Sequence, residues 1–136
     1  MGADHVFNPQ DTSPHDIVLE LTKGEGADVH IEAAGAPQHT LPEMEQSLAI
    51  NGRIVQIGRA AQRVPLYLET LQVRRAQLFG SQGHSGHANF PNVIRLMASG
   101  LIDTRKMITA RYSLDEAVDA IAQSTTRQHG KILVNI

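Results

Sequence analysis

The chain has 136 residues, 41% of them apolar and 19% charged, with a formal net charge of −2; this composition supports a folded core of ordinary size and argues against disorder. The 12 Lys and Arg are scattered singly, so no basic stripe exists to hold a phosphate backbone and nucleic acid is excluded as a partner. The absence of cysteine removes disulfides and thiolate metal sites, and no apolar run reaches the length needed to cross a bilayer. The opening Met1-Gly2-Ala3-Asp4-His5 lacks the layout of a signal peptide, so a cytoplasmic protein is expected.

His5-Val6-Phe7 is predicted to be a short strand closed by the turn Asn8-Pro9. A helix follows, with Ser13 as N-cap, Pro14 at its first position and Ile17, Val18 and Leu21 on one face. Asp28 to Gly35 reads as a strand running into a small-residue turn. Val29, Ile31 and Ala33 alternate with His30 and Glu32, which form either an acid/base pair or the covered or solvent-facing side of the strand. A second helix from about Pro37 to Ala49 carries Leu41, Met44 and Leu48 as its apolar stripe, with Pro42 near its start, and Asn51-Gly52 makes a turn. Arg53 to Gly58 is a strand, Val64 to Leu68 a short extended edge, Glu69 to Arg75 a helix and Ala76 to Gly80 a further strand.

Three strands thus end in Gly35, Gly58 and Gly80 and alternate with helices. Such alternation predicts an α/β fold with a parallel sheet, whose ligands lie beyond the carboxyl ends of the strands. Glycines there either admit a ligand close to the backbone or simply make turns. After Gly83 the pattern changes. A polar loop with His84 and His87 precedes a helix from Phe90 to Ser99 bearing Phe90, Val93, Ile94 and Met97. The tetrad Ser113-Leu114-Asp115-Glu116 is a capping box ahead of a buried stripe of Leu114, Ala117, Val118 and Ile121, and Lys131 to Ile136 is a final strand. The His84/His87 pair offers two imidazoles where a zinc site needs at least three protein ligands, so a solvated or substrate-facing loop is the favoured reading. Neither a nucleophile elbow nor a glycine-rich phosphate loop follows any strand. No catalytic residue and no metal ligand is assigned from the residues.

Several stretches together resemble one family: Met1 to Pro9, Gly24 to Gly35, Gly52 to Gly58, Gly80 to Gly83, and the closing pattern Phe90 to Gly100, Tyr112 to Ile121 and Gly130 to Ile136. In order and spacing they are similar to the later half of zinc-containing medium-chain alcohol and polyol dehydrogenases, such as threonine, sorbitol and inosose dehydrogenases. The resemblance implies the second half of a Rossmann domain, a doubly wound parallel sheet, over residues 1–83, and a C-terminal segment returning to the catalytic domain over residues 84–136. Laid onto that fold, His5 to Phe7 is strand 3, Val29 to Ala33 strand 4, Arg53 to Ile57 strand 5 and Ala76 to Gly80 strand 6. The resemblance places Ala34 and Gly35 beside the adenine-side ribose of NAD or NADP. It places Ile57 and Gly58 beside the nicotinamide riboside, and Ser81 and Gln82 near the nicotinamide ring and the substrate mouth.

The implied parent enzyme uses zinc and NAD or NADP to move hydride between a polyol or secondary alcohol and the cofactor. The family's glycine fingerprint, ribose-binding acid and zinc ligands have no counterpart among these residues. On this resemblance the chain is a C-terminal part, expected to be inactive alone and to form homo-oligomers. Pairing is expected near Val64 to Leu68 or at the bare edge of the strand Val29 to Ala33. The other reading is a non-catalytic module that acts only in packing or dimerisation.

Overall fold

A computed structural model describes residues 2–83 and 86–136. The chain divides into two compact units, one of residues 3–83 and one containing residues 86–136. The first unit runs α1 (Pro14–Leu21), β1 (Ala27–Glu32), α2 (Pro37–Gln46), β2 (Leu48–Gln56), α3 (Leu68–Arg74) and β3 (Gln77–Gly80). Its strands form a parallel sheet in the order β1-β2-β3. Parallel neighbours require a crossover between them, and α2 and α3 supply the two. Both α1 and α2 open on a proline, Pro14 and Pro37, where the missing N–H costs nothing. Pro42 lies inside α2 rather than near its start. Leu41, Leu48 and Ile54 make the core, with Met44, Val64, Leu71 and Ala76 packed against it. The stripe predicted for one helix is therefore shared: Leu41 and Met44 come from α2, whereas Leu48 already belongs to β2.

The turn expected at Asn51-Gly52 is a distortion within a single strand. Ala27 stands opposite Leu48 and Val29 opposite Arg53, so the residues between Leu48 and Arg53 bulge away from β1. Asn51 takes a left-handed φ of 62° there. Gly52 is buried, and a Cβ on it would lie 2.8 Å from the carbonyl oxygen of Ala49.

The strand expected at His5 to Phe7 is not formed: residues 3–8 have no ladder partner, and Val6 is 84% exposed. An extended segment becomes a strand by pairing its backbone groups, and β1 has no neighbour on its outer side among the described residues. Likewise Val64 to Tyr67 joins no ladder; Val64 packs on the core and the N–H of Tyr67 donates to Oε1 of Glu45 at 2.9 Å.

In the second unit α4 (Asn89–Ala98) is followed by β4 (Ile108–Ser113), α5 (Ala117–Ser124) and β5 (Lys131–Asn135), with β4 and β5 paired in parallel. Strand β4 was not predicted, although half-buried Ile108, Ala110 and Tyr112 alternate with exposed Thr109, Arg111 and Ser113. The capping box forms: Oε2 of Glu116 accepts from the N–H and Oγ–H of Ser113 at 2.9 and 2.8 Å, and a 3-10 turn leads into α5. The stripe expected to be buried beyond it is not. Leu114, Val118 and Ile121 are exposed, Val118 by 77%, and the small side chain of Ala120 is the buried one. Small residues let α5 sit close to a two-stranded sheet, and that sheet is too narrow to cover more than one side of a helix. The apolar side of α4, with Phe90, Val93, Ile94 and Met97, is exposed as well. Among the described residues, no helix is long and apolar enough to cross a membrane.

Candidate ligand edge

Because β1, β2 and β3 are parallel, their carboxyl ends emerge along one edge, where the chain turns at residues 33–36, 57–59 and 81–83. The first two turns are tied together by Glu32, the last residue of β1 and 1% exposed. Its Oε1 accepts from the N–H of Ala34 at 3.1 Å, the N–H of Ala36 at 3.3 Å and the hydroxyl of Thr40 at 3.4 Å. Its Oε2 accepts from the N–H of Gly35 at 3.3 Å and from Nε2 of Gln56 at 2.7 Å. The main-chain oxygen of Glu32 accepts from the N–H groups of Ile57 and Gly58 at 2.8 and 2.9 Å. Gln56 closes the arrangement by donating its side-chain amide to the carbonyl of Gly58 at 2.7 Å, and its own carbonyl accepts from the N–H of Ser81 at 2.9 Å.

The two turns also interlock sterically. A Cβ on Gly58 would strike the amide nitrogen of Gly35 and Oε2 of Glu32, with the Cα of Gly35 at 2.7 Å. Gly35 has a left-handed φ of 72°, and a Cβ there would lie 3.1 Å from the carbonyl oxygen of Arg59. Both glycines are demanded by this contact, with no ligand involved. Thus close packing of the turns accounts for them as fully as close approach of a ligand does.

Two cavities border this region. One of about 530 Å³ opens at the carboxyl ends of β2 and β3 and is lined by Gln56, Ile57, Gly58, Arg59, Gly80, Ser81 and Gln82. The larger, about 690 Å³, lies among α1, α2 and β1, with Val18, His30, Ala34, Glu43, Met44 and Ser47 in its walls. In sheets of this class ligands sit beyond the strand ends, so the smaller cavity is the candidate site. The larger is a gap among α1, α2 and β1 in which His30, Thr40, Glu43 and Ser47 are already engaged. Of the residues predicted for a cofactor, Ile57, Gly58, Ser81 and Gln82 surround one opening. Gly35 packs behind Gly58, and Ala34 faces the larger cavity.

His30 and Glu32 share a strand but have separate tasks. Nε2 of His30 lies 3.2 Å from the carbonyl of Ser47; burial lowers the pKa of the imidazole, and the Ser47 carbonyl only partly offsets this. Near α1, Oε2 of Glu43 accepts from the Ser13 hydroxyl at 2.9 Å and the His15 N–H at 3.1 Å, and lies 2.9 Å from Nδ1 of His15. The His15 contact is the main cause of the lowered Glu43 pKa. Ser13, the predicted N-cap, makes no side-chain cap of its own; Glu43 reaches across from α2 and takes that place. Glu32 is the residue that sequence reasoning missed as an organiser. Its signal was an acid at the end of a strand, followed by small residues whose amides are uncrowded and then by Pro37, which starts a helix.

No group of three or more His, Cys, Asp or Glu among the described residues could hold a metal ion. His84 lies outside the described residues, and His87 is exposed with a φ of 53°.

A sequence profile of zinc-binding dehydrogenases matches residues 1–99. The chain is 43% identical over 130 residues to scyllo-inosose 3-dehydrogenase of Thermotoga maritima, covering 93% of this chain and 33% of that protein. It is 27% identical over 125 residues to sorbitol dehydrogenase of Bacillus subtilis, covering 91% and 35%. A solved structure from Thermotoga maritima, assigned provisionally as an alcohol dehydrogenase, superposes with a TM-score of 0.88 at 41% identity, over 98% of this chain and 35% of that one. The chain therefore spans about a third of the length of these relatives. The parallel α/β architecture is that of the later part of such enzymes. With the profile spanning well over half of its residues, the chain belongs to the zinc-binding dehydrogenase family.

Proposed function

We propose that this chain forms part of the cofactor-binding region of an NAD- or NADP-dependent oxidoreductase that transfers hydride between a polyol or secondary alcohol and the nicotinamide ring. One observation carries the reading: Ile57, Gly58, Ser81 and Gln82 surround a single opening at the carboxyl ends of parallel strands, where this fold class places its ligands. The relative at 43% identity, named for action on scyllo-inosose, favours a cyclic polyol or its ketone as the substrate class. Residues 1–83 are assigned to the nucleotide-binding domain and residues 84–136 to a segment of the catalytic domain, in a cytoplasmic enzyme.

On this reading Gly58 and Gly35 lie beside the riboside portions of the cofactor, and Ser81 and Gln82 lie nearest its ring. When bound, the nicotinamide ring supplies the hydride acceptor or donor. The chain's own contribution is a rigid, close-packed backbone surface that fixes the cofactor's position. Zinc does not fit the described residues, which provide no donor set for it, and no step is assigned to it here. The pyrophosphate of a dinucleotide rests on a strand–helix turn with free amides, whereas the amides of residues 34–36 are already engaged by Glu32. Binding of NADH to this chain is therefore expected to be weaker than micromolar. Titration of the labelled chain with NADH should move the amide resonances of Gly58, Ser81 and Gln82 ahead of those lining the larger cavity. Shifts confined to the larger cavity would sink the reading.

A second reading, a packing or dimerising module without catalysis, is favoured by the unpaired outer edge of β1 and by exposed Val29 and Ile31 beside it.

A further inference from the structure

Glu32 combines features that a carboxylate merely filling space would not need. It is buried, yet all five of its side-chain partners are donors: three consecutive backbone amides, a hydroxyl and a primary amide. Three successive N–H groups converging on one point form an anion-binding concavity. Here the concavity lies at the entry to α2, whose N-terminal end adds partial positive charge. Both carboxylate oxygens are used, one for Ala34, Ala36 and Thr40 and the other for Gly35 and Gln56. Neither has room for a proton-bearing atom, since an amide in place of the carboxylate would set N–H against N–H on one side or the other.

We infer that Glu32 is the positioning residue of the ligand edge: its carboxylate is an internal anion seated in the amide concavity of residues 34–36. It consumes the backbone donors of that turn and reaches the 57–58 turn through the side-chain amide of Gln56, while the main-chain oxygen of Glu32 takes the N–H groups of Ile57 and Gly58. The consequence is a bias in what the edge can accept. The amides of Ala34, Gly35, Ala36, Ile57, Gly58 and Ser81 are all engaged by oxygens of Glu32 or Gln56, so a group resting on these turns receives no hydrogen bond from them. A phosphate there would depend on side-chain donors, which among the described lining residues of the smaller cavity are Arg59, Ser81 and Gln82. This consequence rests on the cofactor reading given above. The role of Glu32 itself does not.

The test substitutes an external anion for the internal one, with no cofactor present. Glu32→Gln keeps the volume and loses one acceptor; Glu32→Ala empties the concavity. In the 136-residue chain, Glu32→Gln should lower the thermal midpoint and shift the amides of residues 34–36 together with those of Ile57 and Gly58, although the latter donate to the main-chain oxygen and not to the altered side chain. Sodium formate, against sodium chloride at equal ionic strength, should raise the midpoint of Glu32→Ala and return those amides toward their wild-type positions. It should leave the wild-type chain unchanged. The inference is overturned if Glu32→Gln matches wild type in midpoint and amide pattern. It is also overturned if formate acts no differently from chloride on Glu32→Ala, whether that variant is folded or not, or if formate moves the 34–36 amides of the wild-type chain equally. A purely space-filling role predicts no anion specificity. Failure of NADH to bind would leave this result standing, and failure of the formate rescue would leave the cofactor reading standing.

Discussion

Gly58 stands where the two turns cross, and any side chain there must displace either the backbone of Gly35 or the carboxylate of Glu32. Neither can move alone, because the second holds the first by a hydrogen bond. Gly58→Ala is expected to destabilise the first unit by about 1–3 kcal/mol, the usual cost of overpacking a tight site, read as a lower urea midpoint with an unchanged slope. Protonation acts on a different part of the same unit. Burial holds His30 below its ordinary value, so as pH falls through about 6.5 the unfolded chain takes up a proton that folded His30 still refuses. Stability is therefore lost from there downward. Glu43 is depressed mainly by its contact with His15, so its contribution is present above the ordinary carboxylate range and is lost as pH falls through the lowered value. The urea midpoint should decline in two stages on acidification, and His30→Gln should flatten the upper stage alone. An unaltered profile in that variant would assign the upper stage to another group.

The smaller cavity was legible in part because glycine leaves a mark at strand ends. Gly58 is marked by a strand boundary, whereas Ile57, Ser81 and Gln82 are expected on the family resemblance alone. The role of Glu32 was legible only in the small residues and Pro37 that follow it, since alternation along a strand reports which face a side chain takes and not what waits there.

At the level of elements, the strands and helices that close on their own chain neighbours were readable. Proline starts, apolar spacing and turn residues are local signals, and they mark α1, α2 and α3, while β3 follows α3 closely enough for its pairing with β2 to be foreseen. What failed was whatever depends on partners distant in sequence. The segment from His5 to Phe7 has strand composition and no ladder to join among the described residues, and the stripe on α5 has helical spacing and is exposed among them. Strand β4 erred in the other direction, its alternation being masked by Thr109, Arg111 and Ser113 among short side chains. The junction of β4 with α5 is held by the Ser113–Glu116 exchange, which also lowers the Glu116 pKa, chiefly through the Ser113 N–H. Replacing Ser113 with Ala removes one of the two bonds. Amides of residues 114–117 should then exchange roughly five-fold faster, in keeping with the loss of a helix cap, while those of the first unit stay unchanged. Equal acceleration in both units would mean that the cap serves global stability.

For the whole molecule, the outer edge of β1, without a ladder partner among the described residues, is expected to govern solution behaviour. Parallel sheets are ordinarily covered on both faces, yet Val29 and Ile31 are about half exposed here, at 50% and 57%, beside an unpaired row of backbone groups. Self-association is the expected result. Sedimentation at tens of micromolar should show species larger than a monomer, and Ile31→Lys should shift the distribution toward monomer without unfolding the sheet. A compact monomer for the wild-type chain would count against the packing-module reading and against a free edge. The strand order carries one more consequence. Each strand of the first unit pairs with the next in the chain, across a single helix. Each crossover must close a loop before its strand pairing rewards it, which makes a parallel sheet slow to form. The sheet can nevertheless grow one crossover at a time in the direction of synthesis, β1 to β2 to β3, and begin to assemble before the second unit has left the ribosome.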